Sequence, residues 1–261
     1  MKIYSWNVLC YNKKFEEMCD FIEHLDFDVL CLQEVPSELL ARLQGMPFTV
    51  VSHVDVIRLV SNTNHEKNYV AILSKRPIQN RGTLQFFDFP FPFHTRIFIA
   101  LMRPFNFSFV TERGAVYADI DIGGGMLVRV FSIHLTLWGP HNRAKEFEVV
   151  TEHLQPSAPA IICGDLNVIE YGPMKILNWL LGAPLRQATP WYPERDLFEE
   201  RFAAANLHNP LKGTITHEFS RSQLDHILLT KDLRAARAWV HPEAHGSDHR
   251  PVAVELAARP T

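Results

Sequence analysis

IICGDLN, residues 161–167, joins an uninterrupted apolar run to a carboxylate, Asp165, and an amide, Asn167. An apolar run of this kind is typical of a strand buried inside a sheet. Binding and catalytic groups concentrate at strand ends and in the loops that follow, because a rigid scaffold positions them there. The stretch therefore predicts a buried strand that carries polar groups into a functional site.

Five other segments repeat the pattern of polar groups beside short apolar runs: SWN with Asn7, LQEV with Glu34, IHL with His134, LDH with Asp225, and SDH with Asp248 and His249. One polar residue at a strand end is usually a cap or a turn residue, but so many are difficult to explain as independent caps. Carboxylate and amide oxygens are the ligands that Mg²⁺ prefers, and histidine beside aspartate suits proton transfer. The set indicates metal-assisted hydrolysis of a phosphate ester.

Strand-like runs alternate with helical periodicity between these segments. Apolar residues at helical spacing predict helices over 15–25, 37–43 and 142–154. Strands are predicted at 3–6, 29–32, 49–60, 69–74, 83–87, 115–122, 126–134, 160–163, 225–230, 236–240 and 252–256. No linker, charge run or repeat marks a boundary, so we expect a single domain over residues 1–261. Hairpins mixed with strand–helix–strand units predict sheets packed face to face, with helices on the outer faces.

The composition excludes several classes of protein. Hydrophobic residues make up 47% and charged residues 21% of the 261, which excludes long disorder. The net charge of -3 excludes a histone-like protein that binds nucleic acid by charge alone, although a metal ion can supply positive charge locally. We expect a cytoplasmic protein, because no signal-peptide-like start and no long apolar run for a transmembrane segment are present.

The four cysteines are predicted to act as small buried hydrophobic residues. Cys10, Cys19, Cys31 and Cys163 lie apart in the sequence and form no CxxC pair. None of them belongs to the motifs above, which argues against structural zinc.

The ordered set SWN, LQEV, IHL, GDLN, LDH and SDH resembles the endonuclease/exonuclease/phosphatase superfamily over nearly the whole chain. This superfamily includes deoxyribonuclease I, exonuclease III, abasic-site endonucleases, tyrosyl-DNA phosphodiesterases and neutral sphingomyelinases. The resemblance implies a four-layer α/β sandwich of the deoxyribonuclease I type, in which two mixed β-sheets pack face to face between outer helices. It also implies a Mg²⁺ cofactor, for which Mn²⁺ substitutes.

The resemblance further implies which residues hold the metal and the attacking water. Glu34 corresponds to the principal Mg²⁺ ligand, with Asn7 beside it and Asp248 supporting the metal. Asp165 corresponds to the carboxylate that orients or deprotonates the water. Asn167 would hold that water or a phosphate oxygen.

The same comparison implies the residues that contact the phosphate. His249 would bind the scissile phosphate and is kept protonated by Asp225. His134 takes the place of a His or Tyr that contacts phosphate or assists the leaving group. Arg113 and Arg143 match positions where the superfamily often has arginine, so both are candidate substrate-binding residues. Arg143 is also compatible with a solvated or salt-bridged role on the polar side of its helix.

Two features of the chain bear on the substrate. Some nucleases of the superfamily carry a second acidic metal ligand where this chain has Leu9. This difference disfavours full abasic-endonuclease specificity and stays compatible with catalysis by a single Mg²⁺, the number of metal ions being left open. Residues 86–109 contain nine of the 18 phenylalanines. The segment is either a core-packing insertion between strands or an aromatic wall at the mouth of the site, where bases stack or acyl chains rest.

A nuclease acting on DNA or RNA is the first expectation for function. The alternatives are a phospholipid or sphingomyelin-type phosphodiesterase, and a phosphodiesterase for tyrosyl-nucleic acid or a small phosphate ester. A non-catalytic binding module that keeps only the fold is disfavoured, because Glu34, Asp165 and His249 are all present.

Overall fold

The computed structural model describes residues 1–59, 65–102, 109–110, 113–123, 125–156 and 158–257. The strands within these ranges are β1 (Lys2–Asn7), β2 (Val29–Pro36), β3 (Thr49–Leu59), β4 (His65–Ser74), β5 (Ile78–Gln85), β6 (Phe109–Val110), β7 (Gly114–Asp121), β8 (Leu127–His134), β9 (Ala160–Asp165), β10 (Leu207–His208), β11 (Asp225–Thr230), β12 (Ala235–Val240) and β13 (Val252–Leu256). The α-helices are α1 (Phe15–His24), α2 (Ser37–Gln44), α3 (Phe93–Met102), α4 (Pro140–Glu152), α5 (Ile176–Leu180) and α6 (Glu194–Ala204).

These strands form two mixed sheets. One has the order β12-β13-β1-β2-β4-β3-β6 and the other β10-β11-β9-β8-β7-β5. The pairs β1–β2 and β8–β9 are parallel, so within each pair the carboxyl ends lie at the same edge. In this register Asp165 at the end of β9 lies opposite His134 of β8 on one side and Asp225 of β11 on the other.

Alternation of side chains along the strands builds the layers. Ile3 and Val29 face Val130 and Ile161 in an apolar core between the sheets. The outer face of the first sheet packs under α1 and α2 through residues such as Trp6, Leu30, Met18 and Leu39. The outer face of the second sheet packs under α4 and α6 through residues such as Phe131, Ile162, Phe147 and Phe202. This confirms the predicted four-layer sandwich.

Three helices, α3, α5 and α6, were not predicted by periodicity, and α5 has only five residues. Helix α3 lies inside the phenylalanine-rich segment, where prolines interrupt the pattern; residues 103–108 of that segment, like Val60 of the third predicted strand, lie outside the described residues. Helix α6 buries only Glu194, Phe198 and Phe202, so it has little apolar periodicity. No helix among the described residues has the length and apolar character needed to cross a lipid bilayer.

Candidate active site

Unusual backbone conformations aim the polar groups at the sheet edges into one cleft. Glu34 and Asn167 adopt φ angles of 55° and 53°, which cost non-glycine residues on the order of 1–3 kcal/mol and persist only where the surroundings enforce them. Gly164 permits a close approach of β9 to β8, since a Cβ there would lie 1.9 Å from the carbonyl oxygen of Ile133. The glycine of the GDLN motif is thus required by packing next to Asp165.

Asn7 joins the two carboxylates at the centre of this cleft. Its Nδ2 donates to Oε1 of Glu34 at 3.1 Å and to Oδ2 of Asp165 at 3.0 Å. Its Oδ1 accepts the backbone N–H of Leu9 at 3.0 Å. That bond fixes which way the amide faces, so Asn7 presents its amino group to Glu34 and Asp165 and orients both carboxylates. A carbonyl oxygen has two lone pairs, so Oδ1 keeps acceptor capacity and the metal contact of Asn7 stays a prediction.

The Glu34 carboxylate suits a hard divalent cation. Its Oε2 accepts the backbone N–H of Cys10 at 3.2 Å, and the side chain keeps 23% of its surface exposed. An ionised carboxylate has about four lone-pair sites, so these two hydrogen bonds leave acceptor capacity on the exposed side. Carboxylate oxygen is the donor that Mg²⁺ and Mn²⁺ prefer, so the residues present fit the cation that the sequence predicts.

His249 is held by a buried carboxylate and faces Asp165. Its Nδ1 lies 2.8 Å from Oδ2 of Asp225, and its Nε2 lies 3.7 Å from Oδ2 of Asp165. Burial disfavours the charged imidazole, but Asp225 and Asp165 outweigh it and raise the pKa of His249 to about 10. At neutral pH the ring is therefore an imidazolium with its Nε2–H directed toward the cleft.

A second Asp–His pair, which the sequence analysis missed in part, mirrors the first. Nδ1 of His134 lies 2.5 Å from Oδ2 of Asp55, a fully buried residue on β3 of the other sheet. Nε2 of His134 lies 3.8 Å from Oδ2 of Asp165. Burial again opposes protonation, but Asp55 and Asp165 raise the pKa of His134 to about 9. Two imidazolium groups therefore flank the Asp165 carboxylate.

Asn167 supports Asp165 and lines the same cleft. Its backbone N–H donates to Oδ1 of Asp165 at 2.8 Å, and its Nδ2 donates to the carbonyl of Leu135 at 2.8 Å. With Asn7 on Oδ2, each oxygen of the Asp165 carboxylate accepts a hydrogen bond that fixes its plane. The second N–H of the Asn167 amide is not used by the bond to Leu135.

Asp248 lies on the histidine side of the cleft. Its Oδ2 is 3.4 Å from Nε2 of His217, and its Oδ1 is 3.9 Å from Nε2 of His249. The nearest partners of the carboxylate are thus imidazole rings. The metal-supporting role of Asp248 stays a prediction.

Arg113 lies behind His134 and is not open to substrate. The side chain is buried, and its Nε donates to Oε1 of Glu146 at 3.0 Å while Nη2 donates to the carbonyl of His134. Nη1 is 3.6 Å from Oδ1 of Asp55. The predicted substrate contact is corrected: this guanidinium neutralises two buried carboxylates and holds the Asp55–His134 pair in place.

The predicted substrate contact of Arg143 is also corrected, since this residue is 0% exposed. Its Nε and Nη2 donate to Oε1 of Glu194 at 2.8 and 2.6 Å, and Nη2 also donates to Oδ1 of Asn178 at 2.9 Å. The face of α4 that looks polar in the sequence is covered by α5 and α6, whose polar groups satisfy the guanidinium. The salt-bridged alternative is the one that the structure shows.

We expect Arg143→Ala to lower the free energy of unfolding by about 3–5 kcal/mol, because Glu194 would be left as an unpaired buried carboxylate. Guanidinium chloride denaturation measures this loss. The double variant Arg143→Met with Glu194→Gln is the matched control and should recover most of the stability. A raised KM in folded Arg143→Ala protein without a change in unfolding free energy would instead restore a role in substrate binding.

Comparison of the chain with known proteins identifies its family. Residues 4–249 match the model of the endonuclease/exonuclease/phosphatase family. No curated protein matches the chain. Among solved structures, a family protein from Leptotrichia buccalis is 16% identical with a TM-score of 0.67, covering 99% of this chain and 100% of its own.

Two further solved structures carry functional descriptions. The mannosyl-6-phosphatase Bt3783 from Bacteroides thetaiotaomicron is 14% identical, covers 99% of this chain and 100% of its own, and has a TM-score of 0.64. The 3′ phosphatase NExo from Neisseria, solved with a product DNA hairpin, is 18% identical over 99% of this chain and 100% of its own, with a TM-score of 0.61. At these identities the likeness shows a shared fold. The family match, which extends over nearly the whole length, shows that the chain belongs to the endonuclease/exonuclease/phosphatase family of phosphoester hydrolases.

Proposed function

We propose that this protein is a Mg²⁺-dependent phosphodiesterase that hydrolyses DNA or RNA with an activated water molecule. The observation that carries the proposal is the placement of Asp165 between two imidazolium groups, with His249 Nε2 at 3.7 Å and His134 Nε2 at 3.8 Å from Oδ2. A base flanked by two proton-bearing donors fits in-line attack by water on a phosphate that needs both charge stabilisation and a protonated leaving group.

Each residue then has a distinct task. Glu34 would hold the cation, which when bound supplies positive charge to the phosphate oxygens. Asp165, fixed by Asn7 and the backbone of Asn167, orients the attacking water and takes up its proton. His249 donates from Nε2 to a phosphate oxygen, and Asp225 keeps it charged.

His134 is the proton donor for the departing alkoxide. Asp55 holds its Nδ1, so Nε2 carries the proton that faces the cleft. The second N–H on Nδ2 of Asn167, which the bond to Leu135 does not use, would donate to the water or to a phosphate oxygen. Nucleic acid is favoured as the substrate by the family match and by the DNA hairpin in the similar 3′ phosphatase.

The test is cleavage of end-labelled single- and double-stranded DNA and RNA, with and without Mg²⁺. Cleavage that disappears in EDTA, returns with Mg²⁺ or Mn²⁺, and is absent from Asp165→Asn protein supports the proposal. The product ladder separates endonuclease from exonuclease action. The proposal would be refuted if the wild-type protein cleaved none of these nucleic acids faster than Asp165→Asn protein does.

Hydrolysis of a phospholipid or sphingomyelin head group is a second candidate, favoured by the surface of α3. Phe93, Ile97 and Leu101 lie on one side of that helix and are 79%, 46% and 70% exposed. The segment before α3 packs near the cleft, since Phe91 contacts Trp138, four residues after His134. Mg²⁺-dependent release of phosphocholine from sphingomyelin vesicles, without nucleic-acid cleavage, would favour this candidate over the first.

A further inference from the structure

His217 is built into the same cleft as His249, although no sequence motif singled it out. The two rings are 4.7 Å apart between centroids, and an isolated β-bridge joins the two residues. Thr216, the preceding residue, donates from Oγ1 to Oδ2 of Asp225 at 2.7 Å. The short turn that carries His217 is therefore anchored on the carboxylate that holds His249.

Hydrogen bonding fixes which nitrogen of His217 carries the proton. The backbone N–H of Ser220 donates to Nδ1 at 3.2 Å, and the hydroxyl of Ser220 lies 2.8 Å from the same atom. A backbone N–H can only donate, so Nδ1 holds a lone pair. A neutral imidazole has one donor and one acceptor, so the hydrogen is on Nε2. His217 thus presents Nε2–H beside Nε2 of His249.

This tautomer excludes the metal site that the local geometry would otherwise suggest. His217, Asp248 and His249 each place a potential ligand atom within 4.8 Å of the others. A ligating histidine must offer a lone pair, and Nε2 of His217 has none while Ser220 occupies Nδ1. Nε2–H of His217 instead makes a weak hydrogen bond of 3.4 Å to the half-exposed carboxylate of Asp248. A substrate oxygen can replace this carboxylate as the acceptor.

We infer that His217 is a substrate-binding residue whose Nε2–H donates to an oxygen of the substrate phosphate next to the one held by His249. This inference rests on the proposed function. Because the donor is uncharged, it positions the phosphate without adding to the positive charge of the two imidazolium groups.

Two variants separate donation from simple packing. His217→Gln keeps an N–H donor at similar reach, whereas His217→Phe keeps an aromatic ring against His249 but has no donor. On bis(para-nitrophenyl) phosphate with Mg²⁺, we expect His217→Phe to raise KM by about 10-fold to 100-fold, the loss of one hydrogen bond to a charged group. His217→Gln should stay within about threefold of wild type. A raised KM in His217→Gln together with a wild-type KM in His217→Phe would show a packing role for the ring and overturn the inference.

Binding of inorganic phosphate gives a readout that does not depend on turnover. Isothermal titration of phosphate into the Mg²⁺-loaded protein should show a weaker dissociation constant for His217→Phe by the same factor as KM, and an unchanged one for His217→Gln. Equal phosphate affinity in all three proteins would overturn the inference. A Mn²⁺ stoichiometry that falls by one in His217→Phe would also overturn it, by showing a metal ligand. If wild-type protein binds phosphate as expected but hydrolyses no diester, the proposed function fails while the inference stands.

Discussion

Asp165→Asn should lower kcat by about 10³-fold to 10⁴-fold on whichever phosphodiester the wild-type protein cleaves. Loss of a positioned general base accounts for a factor of this size. Asn has the same shape as Asp, and its carbonyl oxygen can still accept the backbone N–H of Asn167. Where Oδ2 stood, however, the new amino group would face the donating amide of Asn7, so it cannot hold or deprotonate the water.

A second effect of the same substitution distinguishes it from unfolding. The Asp165 charge is among the causes that raise the pKa of His134 to about 9 and of His249 to about 10. Removing it should lower both values, which NMR titration of the imidazole signals measures in metal-free protein. A native circular dichroism spectrum with lowered histidine pKa values and lost turnover is the expected combination.

Asp20→Asn is the matched control for this change of charge. Asp20 is exposed on α1 and contacts only His24 among its described ion pairs, so activity should be that of wild type. Cleavage by Asp165→Asn at more than about a tenth of the wild-type rate would contradict the assignment of Asp165 as the base. The loss of rate would then be smaller than the contribution of a general base.

The sequence was informative where chemistry and backbone pattern coincide. Asp165, Asn167 and Glu34 follow apolar strands directly, so their position at a sheet edge could be inferred before the structure was known. The parallel pairing of β8 with β9 then explains why His134 joins them. Strands buried on both faces have continuous apolar runs, and this made the central strands the easiest elements to predict.

Asp55 and His217 could not be assigned for a different reason. Each lies far from its partner in sequence, and Asp55 and His134 are 79 positions apart. The only local signal for Asp55 is a carboxylate inside an otherwise strand-like run, VVSHVDVIRL. The partner of such a carboxylate lies on the other sheet, so it cannot be identified from the strand alone. Once the sheets pack together, the buried charge must be paired.

Arg113 and Arg143 show the opposite error, in which polar residues were expected at the surface. Helical periodicity identifies the polar face of α4 but not what covers it. Glu194 of α6 and Asn178 of α5 cover Arg143, and Glu146 covers Arg113. Both α5 and α6 have weak apolar patterns, because α5 buries Asn178 and α6 buries Glu194 beside only two apolar residues.

The two Asp–His pairs should differ in their dependence on the leaving group. His134→Gln should lower kcat on a dinucleotide by about 10²-fold to 10⁴-fold, because the departing alkoxide needs a proton. On a para-nitrophenyl diester, whose leaving group departs without protonation, the same variant should lose less than about tenfold. His249→Gln should lose about 10²-fold to 10³-fold on both substrates, since charge develops on the phosphate in either case.

Asp55→Asn tests whether the buried carboxylate acts through His134. Asp55 lies 2.5 Å from Nδ1 of His134 and is one of the main causes of its raised pKa, so its removal should leave a less protonated imidazole at alkaline pH. The variant should therefore repeat the leaving-group selectivity of His134→Gln in a weaker form, more strongly as the pH rises. His24→Gln, a change of an exposed histidine on α1, is the control.

Equal losses on the dinucleotide and the para-nitrophenyl diester for His134→Gln would contradict the role of proton donor. They would assign both histidines to the phosphate, because only a group that protonates the leaving oxygen distinguishes the two substrates.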